Sequence, residues 1–348
     1  MFDRIQSFGA EALHCFNDDE LGFRALVAIH DTRLGPAFGG CRFISYVNED
    51  AAIEDVLKLA VGMTRKNALA GIPFGGGKAV IMRPAKGFSR QAIFRRFGEA
   101  IDGLGGQFVT AMDAGSETAD MAVIASASRY VSTADPAAYT ALGVALGIEA
   151  AVKRRQGDAS MAGTRVAVQG LGHVGSKLCA QLSERGARLI VTDFDRAKID
   201  EIVARYDATA VPPAQIYEVD CDVFAPCALG GVLNEDTVAR LRCQIVAGAA
   251  NNQIACAAIA ETLRDRHIIY APDYVINAGG VIFAALSYLG HCELQILKKI
   301  NHIPVTLMHV MDLAERALIS TEEAAEGLSR QILDGPASRD TTPMLAAR

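Results

Sequence analysis

The sequence predicts an α/β protein of two domains, a mixed α/β domain followed by a doubly wound parallel sheet that is covered by helices. Three observations lead to this prediction. The chain has 348 residues, which is more than one ordinary hydrophobic core holds. From about residue 164, short apolar runs alternate regularly with helical segments, whereas the preceding part lacks this alternation. Apolar residues make up 51% of the chain and charged residues 21%, which is a globular composition.

The first part of the chain, residues 1–135, contains the predicted mixed domain. Its runs "LGFRALVAIHDTR" and "GGGKAVIMRP" are rich in apolar and β-branched residues and predict strands. Residues 49–70 predict a long helix, and the strand-like run "QFVTAM" ends directly before Asp113. These elements predict the smaller of the two domains.

The second part, residues 136–320, contains the predicted doubly wound domain. Its strands are expected in "TRVAVQG", "ARLIVTD", "CDVFAP", "CQIVAG" and "HIIYAP", each of which is followed by a helix-like stretch. Continuous Val, Ile and Leu runs without polar alternation are typical of strands covered by helices on both faces. Residues 301–319 predict a helix, and Ser320 begins another with a capping-box pattern. The C-terminal helices, about 321–348, are candidates to return to the first domain.

Composition and charge argue against several classes of partner. The formal net charge of −6 gives no reason to expect nucleic acid or an anionic membrane. The acidic N-terminal stretch lacks the apolar core of a signal peptide, and no run approaches the roughly 18 apolar residues of a membrane span. The eight cysteines form no C-x-x-C pair and no cluster with histidines. They predict reduced core residues of a cytoplasmic protein without a metal site.

A glycine pattern marks the start of the doubly wound domain. "VAVQGLGHVGSKL" contains Gly170, Gly172 and Gly175 in the spacing G-x-G-x-x-G, where a strand is expected to turn into a helix. Such glycines permit the tight turn, the approach of a pyrophosphate and the close packing of the helix on the strand. Asp193 closes the next strand, where a carboxylate binds the ribose hydroxyls of an adenosine and repels a 2′-phosphate. The pattern predicts NAD in preference to NADP, although Arg196 lies nearby.

The stretch "GIPFGGGKAV" places three glycines directly before Lys78. A nucleoside-triphosphate loop has the pattern G-x-x-x-x-G-K-[ST], in which the hydroxyl after the lysine reaches Mg²⁺. Here Gly77 intervenes before the lysine and Ala79 replaces the hydroxyl, so the metal-binding part is missing. A P-loop-like kinase or ATPase is therefore a rival interpretation only. The alternative is that glycines 75–77 form a turn that lets a substrate and a nicotinamide come close.

Two lysines and a carboxylate of the first domain supply the groups that hydride-transfer chemistry needs. Lys66 and Lys78 flank the glycine run, and Asp113 follows "QFVTAM". Enclosure by apolar backbone, or a second cation nearby, disfavours the charged form of an amine and makes it a competent general base. A carboxylate in such a loop can steer a lysine or a water. Taken alone, each residue is more simply a solvated lysine or a turn aspartate, but beside a nicotinamide domain they predict a catalytic set.

Seven stretches follow one another in order between about residues 20 and 330: "GPAFGGCR", "MTRKNALAGIPFGGGKAVI", "TAMDAGSETADM", "VAVQGLGHVG", "FAPCALGGVLN", "AGAANNQI" and "YAPDYVINAGGVI". Together they resemble the glutamate/leucine/phenylalanine/valine family of amino-acid dehydrogenases and are most similar to its leucine dehydrogenase branch. The resemblance implies a substrate-binding and oligomerisation domain, a Rossmann NAD-binding domain and a cleft between them that closes on the substrate.

The resemblance also implies a reaction and a role for each site residue. The reaction would be the reversible, NAD-dependent oxidative deamination of an L-amino acid, at its CH–NH₂ group, to a 2-oxo acid and ammonia. Lys78 would be the acid/base, Asp113 would assist it, and Lys66 would hold the substrate carboxylate. The cofactor-binding set would comprise Gly170, Gly172, His173, Val174, Gly175, Asp193, Thr140, Cys227, Ala228, Asn252 and Asn277, of which Asn277 would also help to hold the substrate. For Thr140 and Asn252 the alternatives are a helix N-cap and a loop Asx-turn.

A side-chain pocket is implied by alignment with the family. Gly39 and Gly40 would lie beside the substrate backbone, and the pocket would be lined by Phe38, Met63, Ala111, Val281 and Ala284. No basic residue is among them, so an apolar side chain is expected and glutamate is not. Phe38 replaces a usual aliphatic residue and would shorten the pocket, Ala284 replaces a usual valine and would lengthen it, and Met112 replaces a usual glutamate. A methylene is worth only about 1–3 kcal/mol in an apolar pocket, so leucine or another branched-chain residue is the first choice, and phenylalanine or tryptophan the second.

The resemblance further implies a homo-oligomer, an octamer or a dimer, assembled through the first domain. The apolar start "MFDRIQSFGAEAL" is compatible with such an interface and equally with a helix packed on its own core. A non-catalytic NAD-sensing module is a third interpretation of the chain, but it would not need Lys66, Lys78 and Asp113 together.

Overall fold

The chain folds into two compact units. The computed structural model describes residues 1–157 and 160–335. Unit 1 consists of Met1–Asp135, Phe283–Glu293 and residues 329–335, and unit 2 consists of Pro136–Ile282 and Leu294–Leu328. The sequence predicted domains of residues 1–135 and 136–320, with the C-terminal helices as candidates to return to the first, and residues 329–335 do belong to unit 1. Residues 283–293 were not expected there; in unit 1 the Ser132 hydroxyl donates a hydrogen bond to the Ala284 carbonyl oxygen. The last part of the C-terminal prediction, residues 336–348, lies outside the described residues.

Unit 1 is a mixed sheet with helices on both faces. Its elements are α1 (Phe2–Phe8), β1 (Ala12–Asp18), β2 (Phe23–Asp31), β3 (Ala37–Ile44), α2 (Glu49–Ala70), β4 (Gly75–Met82), α3 (Arg90–Asp102), β5 (Phe108–Met112) and α4 (Thr118–Ala125). The strand order is β1-β2-β4-β3-β5. β2 is antiparallel to both of its neighbours, whereas β3 is parallel to β4 and to β5. Apolar residues of α3 and α4 form one buried cluster with the sheet, and those of α2 form another.

The long helix α2 covers the sheet face that carries the candidate site. It begins at Asn48, whose side chain accepts a hydrogen bond from a backbone N–H of the first turn, and it ends at Gly71 in the left-handed conformation (φ 59°). Its apolar residues are buried against Ala28 of β2 and Val80 of β4. Because successive side chains of a strand point to opposite faces, Lys78 lies on the same face as Val80, towards α2.

Unit 2 is a parallel sheet with helices that connect its strands. Its first elements are α5 (Ala137–Gln156), β6 (Arg165–Gln169), α6 (Gly175–Glu184), β7 (Arg188–Thr192), α7 (Arg196–Tyr206), β8 (Thr209–Ala210), β9 (Val223–Pro226), α8 (Glu235–Arg240), β10 (Ile245–Val246), α9 (Ala257–Asp265) and β11 (Ile269–Tyr270). They are followed in the chain by α10 (Asp273–Ile276), α11 (Gly279–Tyr288), α12 (Glu293–Ile300), α13 (Ile303–Ala317) and α14 (Thr321–Asp334), of which α11 and α14 end in segments of unit 1. The strand order β11-β10-β9-β6-β7-β8 is parallel throughout, which is the doubly wound arrangement.

The predicted fold class is confirmed, with differences in detail. β1 was not predicted, and no residue of α1 is buried, with Phe2 83% exposed. Phe8 at the end of α1 is partly buried and packs against the cluster that α2 forms with the sheet, so both interpretations of the N-terminus stay open. The strand predicted in "GGGKAVIMRP" is confirmed as β4, and the run 75–77 is its beginning and not a turn. In residues 1–157 and 160–335, no helix combines the length and the apolar character that crossing a bilayer requires.

Candidate active site

Lys78 and Asp113 form a close ion pair in unit 1. Lys78 lies within β4, and Asp113 is the first residue after β5. The distance from Lys78 Nζ to Asp113 Oδ2 is 2.8 Å, and the two side chains are 6% and 18% exposed. A buried charge is tolerated in a protein when a partner compensates it. The amine is thus enclosed together with one carboxylate and does not project into solvent.

Gly40 explains how side chains from two strands that are not neighbours can meet. β3 lies between β4 and β5, and adjacent strands are about 4.8 Å apart, so roughly 10 Å separates the two outer backbones. A Cβ at Gly40 would lie 2.7 Å from Asp113 Cβ, and a Cβ at Gly39 would lie 1.9 Å from the Gly77 carbonyl oxygen. Neighbouring protein atoms therefore leave no room for a side chain at either position. The missing side chain of Gly40 leaves the space that Asp113 occupies.

Asp113 is held by its own loop and is ionised at neutral pH. Burial raises the pKa of Asp113, but the positive charges of Lys78 and Arg42 outweigh burial and lower this pKa to about 2. The Asp113 N–H donates a hydrogen bond to Ser116 Oγ, and the Ser116 hydroxyl lies 2.9 Å from the Asp113 carbonyl oxygen and donates to it. The carboxylate is thus a fixed negative charge beside the Lys78 amine.

The glycine run before Lys78 has a packing role that the sequence did not reveal. A Cβ at Gly75 would lie 1.9 Å from the Asp31 carbonyl oxygen, and a Cβ at Gly76 would lie 2.0 Å from Thr64 Oγ1. The expectation that these glycines make room for substrate and nicotinamide is therefore corrected, because protein atoms already occupy the positions of their side chains. The P-loop interpretation is wrong as well, because a P-loop is a loop that opens a helix, whereas this run forms the first three residues of strand β4.

Four residues assigned to the substrate pocket lie in unit 1. Phe38, Ala111 and Ala284 are buried, and Met63 is partly buried with its Cγ 3.3 Å from the position of a Cβ at Gly39. Val281, which is partly buried, belongs to unit 2.

An aromatic cluster and Lys66 are two further features of unit 1 that involve these pocket residues. The Phe38 ring packs against the Phe74 ring, with 5.0 Å between centroids, and the Phe74 ring lies 6.3 Å from that of Tyr288. Lys66 follows Met63 by three residues on α2, so both project from the same side of the helix.

In unit 2, the G-x-G-x-x-G stretch forms the predicted strand–turn–helix. Gly170 follows β6 with φ 98°, and a Cβ there would lie 2.7 Å from Ala228 Cβ. Gly175 opens α6, and a Cβ at this position would lie 2.0 Å from the Gly170 carbonyl oxygen and 3.3 Å from Cys227 Cβ. A Cβ at Gly172, by contrast, would meet no atom within 4 Å. The open space at Gly172, in front of the N-terminus of α6, fits the pyrophosphate of a dinucleotide.

Asp193 lies where the ribose-binding carboxylate was predicted. It follows β7, and its carboxylate accepts hydrogen bonds from the backbone N–H groups of Leu171 at 2.7 Å and Asp195 at 2.9 Å. Burial raises the pKa of Asp193, but these backbone hydrogen bonds contribute to a net lowering of the pKa. Arg196 Nε is 2.9 Å from Asp200 Oδ1, so this guanidinium is paired along α7. The local charge therefore favours ribose hydroxyls over a 2′-phosphate.

The remaining cofactor candidates also lie in unit 2, with different degrees of support. Asn277 is buried and its Nδ2 donates hydrogen bonds to Ala249 O and Asn251 Oδ1, whereas its Oδ1 is buried without a hydrogen-bond partner. An orphaned acceptor of this kind fits a bound polar ligand. Thr140 is not an N-cap, because it lies within α5 and its hydroxyl donates to the Pro136 carbonyl oxygen. Asn252 is exposed in the left-handed conformation (φ 53°), His173 is exposed, and Val174 precedes α6.

The structure adds three residues that sequence reasoning missed. Arg42 lies on β3 with Nε 3.4 Å from Asp113 Oδ2, and Asp55 of α2 and Tyr46 lie next to Arg42. The signal was present, since Arg42 closes the stretch "GPAFGGCR", but a single arginine there gives no indication of its partners.

All eight cysteines lie in the described residues and are free thiols. Within residues 1–157 and 160–335, no group of three or more His, Cys, Asp or Glu side chains could hold a metal ion.

Comparison with known proteins identifies the family. The model of the "Glu/Leu/Phe/Val dehydrogenase, dimerisation domain" matches residues 13–130, and the model "Glutamate/Leucine/Phenylalanine/Valine dehydrogenase" matches residues 133–195 and 189–323. The chain is 43% identical over 342 residues to a leucine dehydrogenase of Thermoactinomyces intermedius, covering 96% of this chain and 93% of that protein. It is 38% identical over 337 residues to a phenylalanine dehydrogenase of Caldalkalibacillus thermarum, covering 93% and 90%.

A solved structure agrees with these matches. The L-tryptophan dehydrogenase of Nostoc punctiforme superposes with a TM-score of 0.83 at 41% identity, covering 96% of this chain and 98% of that one. The catalytic interpretation is thus favoured over a non-catalytic NAD-sensing module. The chain belongs to the Glu/Leu/Phe/Val dehydrogenase family and is an NAD-dependent amino-acid dehydrogenase that acts on a CH–NH₂ group.

Proposed function

We propose that this protein oxidatively deaminates an apolar L-amino acid, with leucine or another branched-chain residue as the preferred substrate. The observation that carries the proposal is the enclosed pair of Lys78 and Asp113 in a unit whose pocket candidates are apolar. The reaction converts the amino acid, NAD⁺ and water into the 2-oxo acid, ammonia, NADH and a proton, and it is reversible.

The residues of unit 1 supply the proton transfers. A bound NAD⁺ would supply the hydride acceptor for the substrate α-carbon, and the oxidised substrate would carry an iminium group. In its neutral form, Lys78 takes a proton from the water that attacks the iminium carbon. The same Nζ then returns the proton to the amino group of the carbinolamine. As ammonia leaves, Nζ takes the hydroxyl proton, so that the carbonyl forms and Lys78 ends as the ammonium. Asp113, 2.8 Å away, stabilises the ammonium form of Lys78 in these transfers.

The other candidate residues position the reactants. The ammonium of Lys66 would bind the substrate α-carboxylate, beside the backbone of Gly39 and Gly40. In unit 2, the orphaned Asn277 Oδ1 would accept a hydrogen bond from the substrate or from the nicotinamide. Thr140, Asn252, Cys227 and Ala228 complete the proposed nicotinamide and pyrophosphate contacts.

The choice of amino acid rests on the pocket. Phe38, Met63, Ala111, Val281 and Ala284 offer no charge to pair with a second carboxylate, which supports an apolar side chain. Leucine dehydrogenases that match at up to 43% identity support leucine as the first choice. A phenylalanine dehydrogenase at 38% and a tryptophan dehydrogenase at 41% support the alternative of an aromatic substrate.

The decisive experiment follows NADH absorbance at 340 nm with a panel of L-amino acids at mildly alkaline pH. Wild-type protein is expected to turn over leucine, isoleucine and valine, and to leave glutamate untouched. Lys78→Ala is expected to abolish turnover while NADH binding, measured by fluorescence, stays nearly intact. Lys58→Ala, which removes an exposed lysine of α2, is the matched control and should keep full activity. Turnover by Lys78→Ala would refute the proton-transfer role, and no turnover of any apolar amino acid by the wild type would refute the proposed function.

We also propose that the protein is a cytoplasmic homo-oligomer, an octamer or a dimer, assembled through unit 1. The matching of residues 13–130 to a dimerisation domain supports the assembly, and the eight free thiols support a reducing compartment. Light scattering coupled to size-exclusion chromatography measures the mass directly. A monomer at micromolar concentration would contradict the assembly.

A further inference from the structure

Arg42 lies between two carboxylates on the α2 side of the unit 1 sheet. Its Nε is 3.4 Å from Asp113 Oδ2, and its Nη1 is 3.1 Å and 2.9 Å from the two oxygens of Asp55. The Tyr46 hydroxyl donates a hydrogen bond of 2.6 Å to Asp55 Oδ2. A continuous chain of contacts therefore runs from Lys78 through Asp113, Arg42 and Asp55 to Tyr46.

The charges along this chain alternate, and none of its members is fully exposed. The side chains of Arg42 and Asp55 are 20% and 26% exposed, and that of Asp113 is 18% exposed. Interactions between such partly buried charges are screened less by salt than those of surface pairs. A change of charge at one end of the chain is therefore felt at the other.

We infer that Arg42 is a positioning residue that keeps the Asp113 carboxylate ionised and directed at Lys78, and that Asp55 limits the strength of this effect. The inference rests on the proposed acid/base role of Lys78. Asp113 Oδ2 faces both Lys78 Nζ and Arg42 Nε. An arginine keeps its charge at every working pH, so Asp113 retains one cationic partner at the moment when Lys78 is neutral. Without that partner, the carboxylate would compete for the proton or rotate away.

The electrostatics of the surrounding groups support this arrangement. Burial raises the pKa of Asp113, and the lowering caused by Lys78 is reinforced by Arg42. Cys41 of β3, Tyr46 and Asp55 lie around the pair. Burial raises the pKa of Cys41 to about 12, and burial together with Asp55 raises the pKa of Tyr46. Cys41 and Tyr46 stay neutral near pH 7 to 10. The charges that can tune the Lys78–Asp113 pair are therefore Arg42, Asp55 and the Lys66 ammonium of the proposed substrate site, and the variants below change only the first two.

The test is the pH profile of kcat/KM for the amino acid that the wild type uses best. Under the proposed function, deamination needs the neutral amine of Lys78, so activity is expected to rise with pH. Arg42→Gln removes a cation, so the rise is expected to move to higher pH by about 0.5–1 unit, with kcat reduced. Asp55→Asn removes the anion that offsets Arg42, so the rise is expected to move to lower pH. Arg42→Lys should restore much of the wild-type position.

Matched variants separate this role from simple packing. Arg24→Gln removes an exposed arginine of β2 that pairs with Glu49 and should leave the profile unchanged. If Arg42→Gln and Asp55→Asn move the rise in the same direction, or leave it in place, the inference is overturned. Should Arg42→Gln not fold, Asp55→Asn alone decides, since only the electrostatic role predicts its downward shift.

A measurement that does not depend on enzyme activity tests the inference independently of the proposed function. A double-mutant cycle of Arg42→Gln and Asp113→Asn in urea unfolding reports whether the two residues are coupled. Additive effects would overturn the inference even if the enzyme is active. Coupling in a protein that turns over no amino acid would refute the proposed function and leave Arg42 as the stabiliser of the Asp113 charge.

Discussion

Gly40 and Asp113 approach so closely that a Cβ at Gly40 would lie 2.7 Å from Asp113 Cβ. Gly40→Ala should therefore push Asp113 away from Lys78 and reduce kcat about 100-fold, because an ångström of misplacement has effects of this size. Steady-state kinetics measure the loss. Gly327→Ala is the control, since a Cβ at this exposed position in α14 meets no atom within 4 Å and should leave kcat unchanged. Full activity of Gly40→Ala would contradict the need for this approach.

The Lys78–Asp113 ion pair should make the free energy of unfolding depend on pH in the acidic range. The pKa of Asp113 is lowered from its ordinary value near 3.9 to about 2 in the folded protein, because Lys78 and Arg42 outweigh burial. A lowered carboxylate pKa stabilises the fold above pH 4, and this contribution, about 2 kcal/mol, is lost as the pH falls from 4 to 2.

Urea unfolding of wild type and Asp113→Asn at pH 7, 5, 4 and 3 measures this contribution. The difference in free energy of unfolding between the two proteins should be constant between pH 7 and 5 and should shrink at pH 3. A difference that does not change between pH 5 and 3 would show that Asp113 titrates near its ordinary value.

Asp193 should determine the choice of dinucleotide. Asp193→Ala removes a carboxylate that can accept hydrogen bonds from the ribose, so NADH binding should weaken by roughly 10- to 100-fold, as expected for hydrogen bonds to a charged group. NADPH binding should weaken less or improve, because repulsion of the 2′-phosphate is lost. NADH fluorescence titration measures both. Glu201→Ala, which removes another exposed carboxylate of α7, should change neither affinity.

Ala284 should influence the length of the substrate side chain that the pocket accepts. Ala284 is 3% exposed, so two added methyl groups of a valine must take up space inside unit 1. Ala284→Val is expected to lower the ratio of kcat/KM for phenylalanine over leucine by about 10-fold, within the 1–3 kcal/mol that such groups contribute. An unchanged ratio would remove Ala284 from the proposed pocket. Ala285→Val, at the next buried position of α11, controls for a general effect of added bulk.

The features predicted well from the sequence were those with local causes. The helix of residues 49–70 has an N-cap and a C-terminal glycine in its own sequence, and β6, Gly170 and α6 lie within one short stretch. The family resemblance supplied Lys78 and Asp113 together. In contrast, β1 was missed because its residues are only partly buried at the edge of the sheet, where the apolar pattern is weak.

The features that were missed depend on contacts between distant parts of the chain. Nothing in "GGGK" reveals that the Asp31 carbonyl and the Thr64 side chain fill the places of the missing side chains. Likewise, the link from Arg42 to Asp113 joins residues 71 positions apart. Such contacts follow from strand order and register, which the residues of one strand do not specify.

The path of the backbone through the two units limits how the protein can be divided. Residues 283–293 and 329–335 belong to unit 1. A fragment that stops at residue 135 would therefore lack the Ala284 carbonyl oxygen, which accepts the hydrogen bond of the Ser132 hydroxyl, and the Asp334 carboxylate, which pairs with Arg33. Neither half can therefore be excised with one cut. Isolated pieces for calorimetry or crystallography would need grafted or circularly permuted segments.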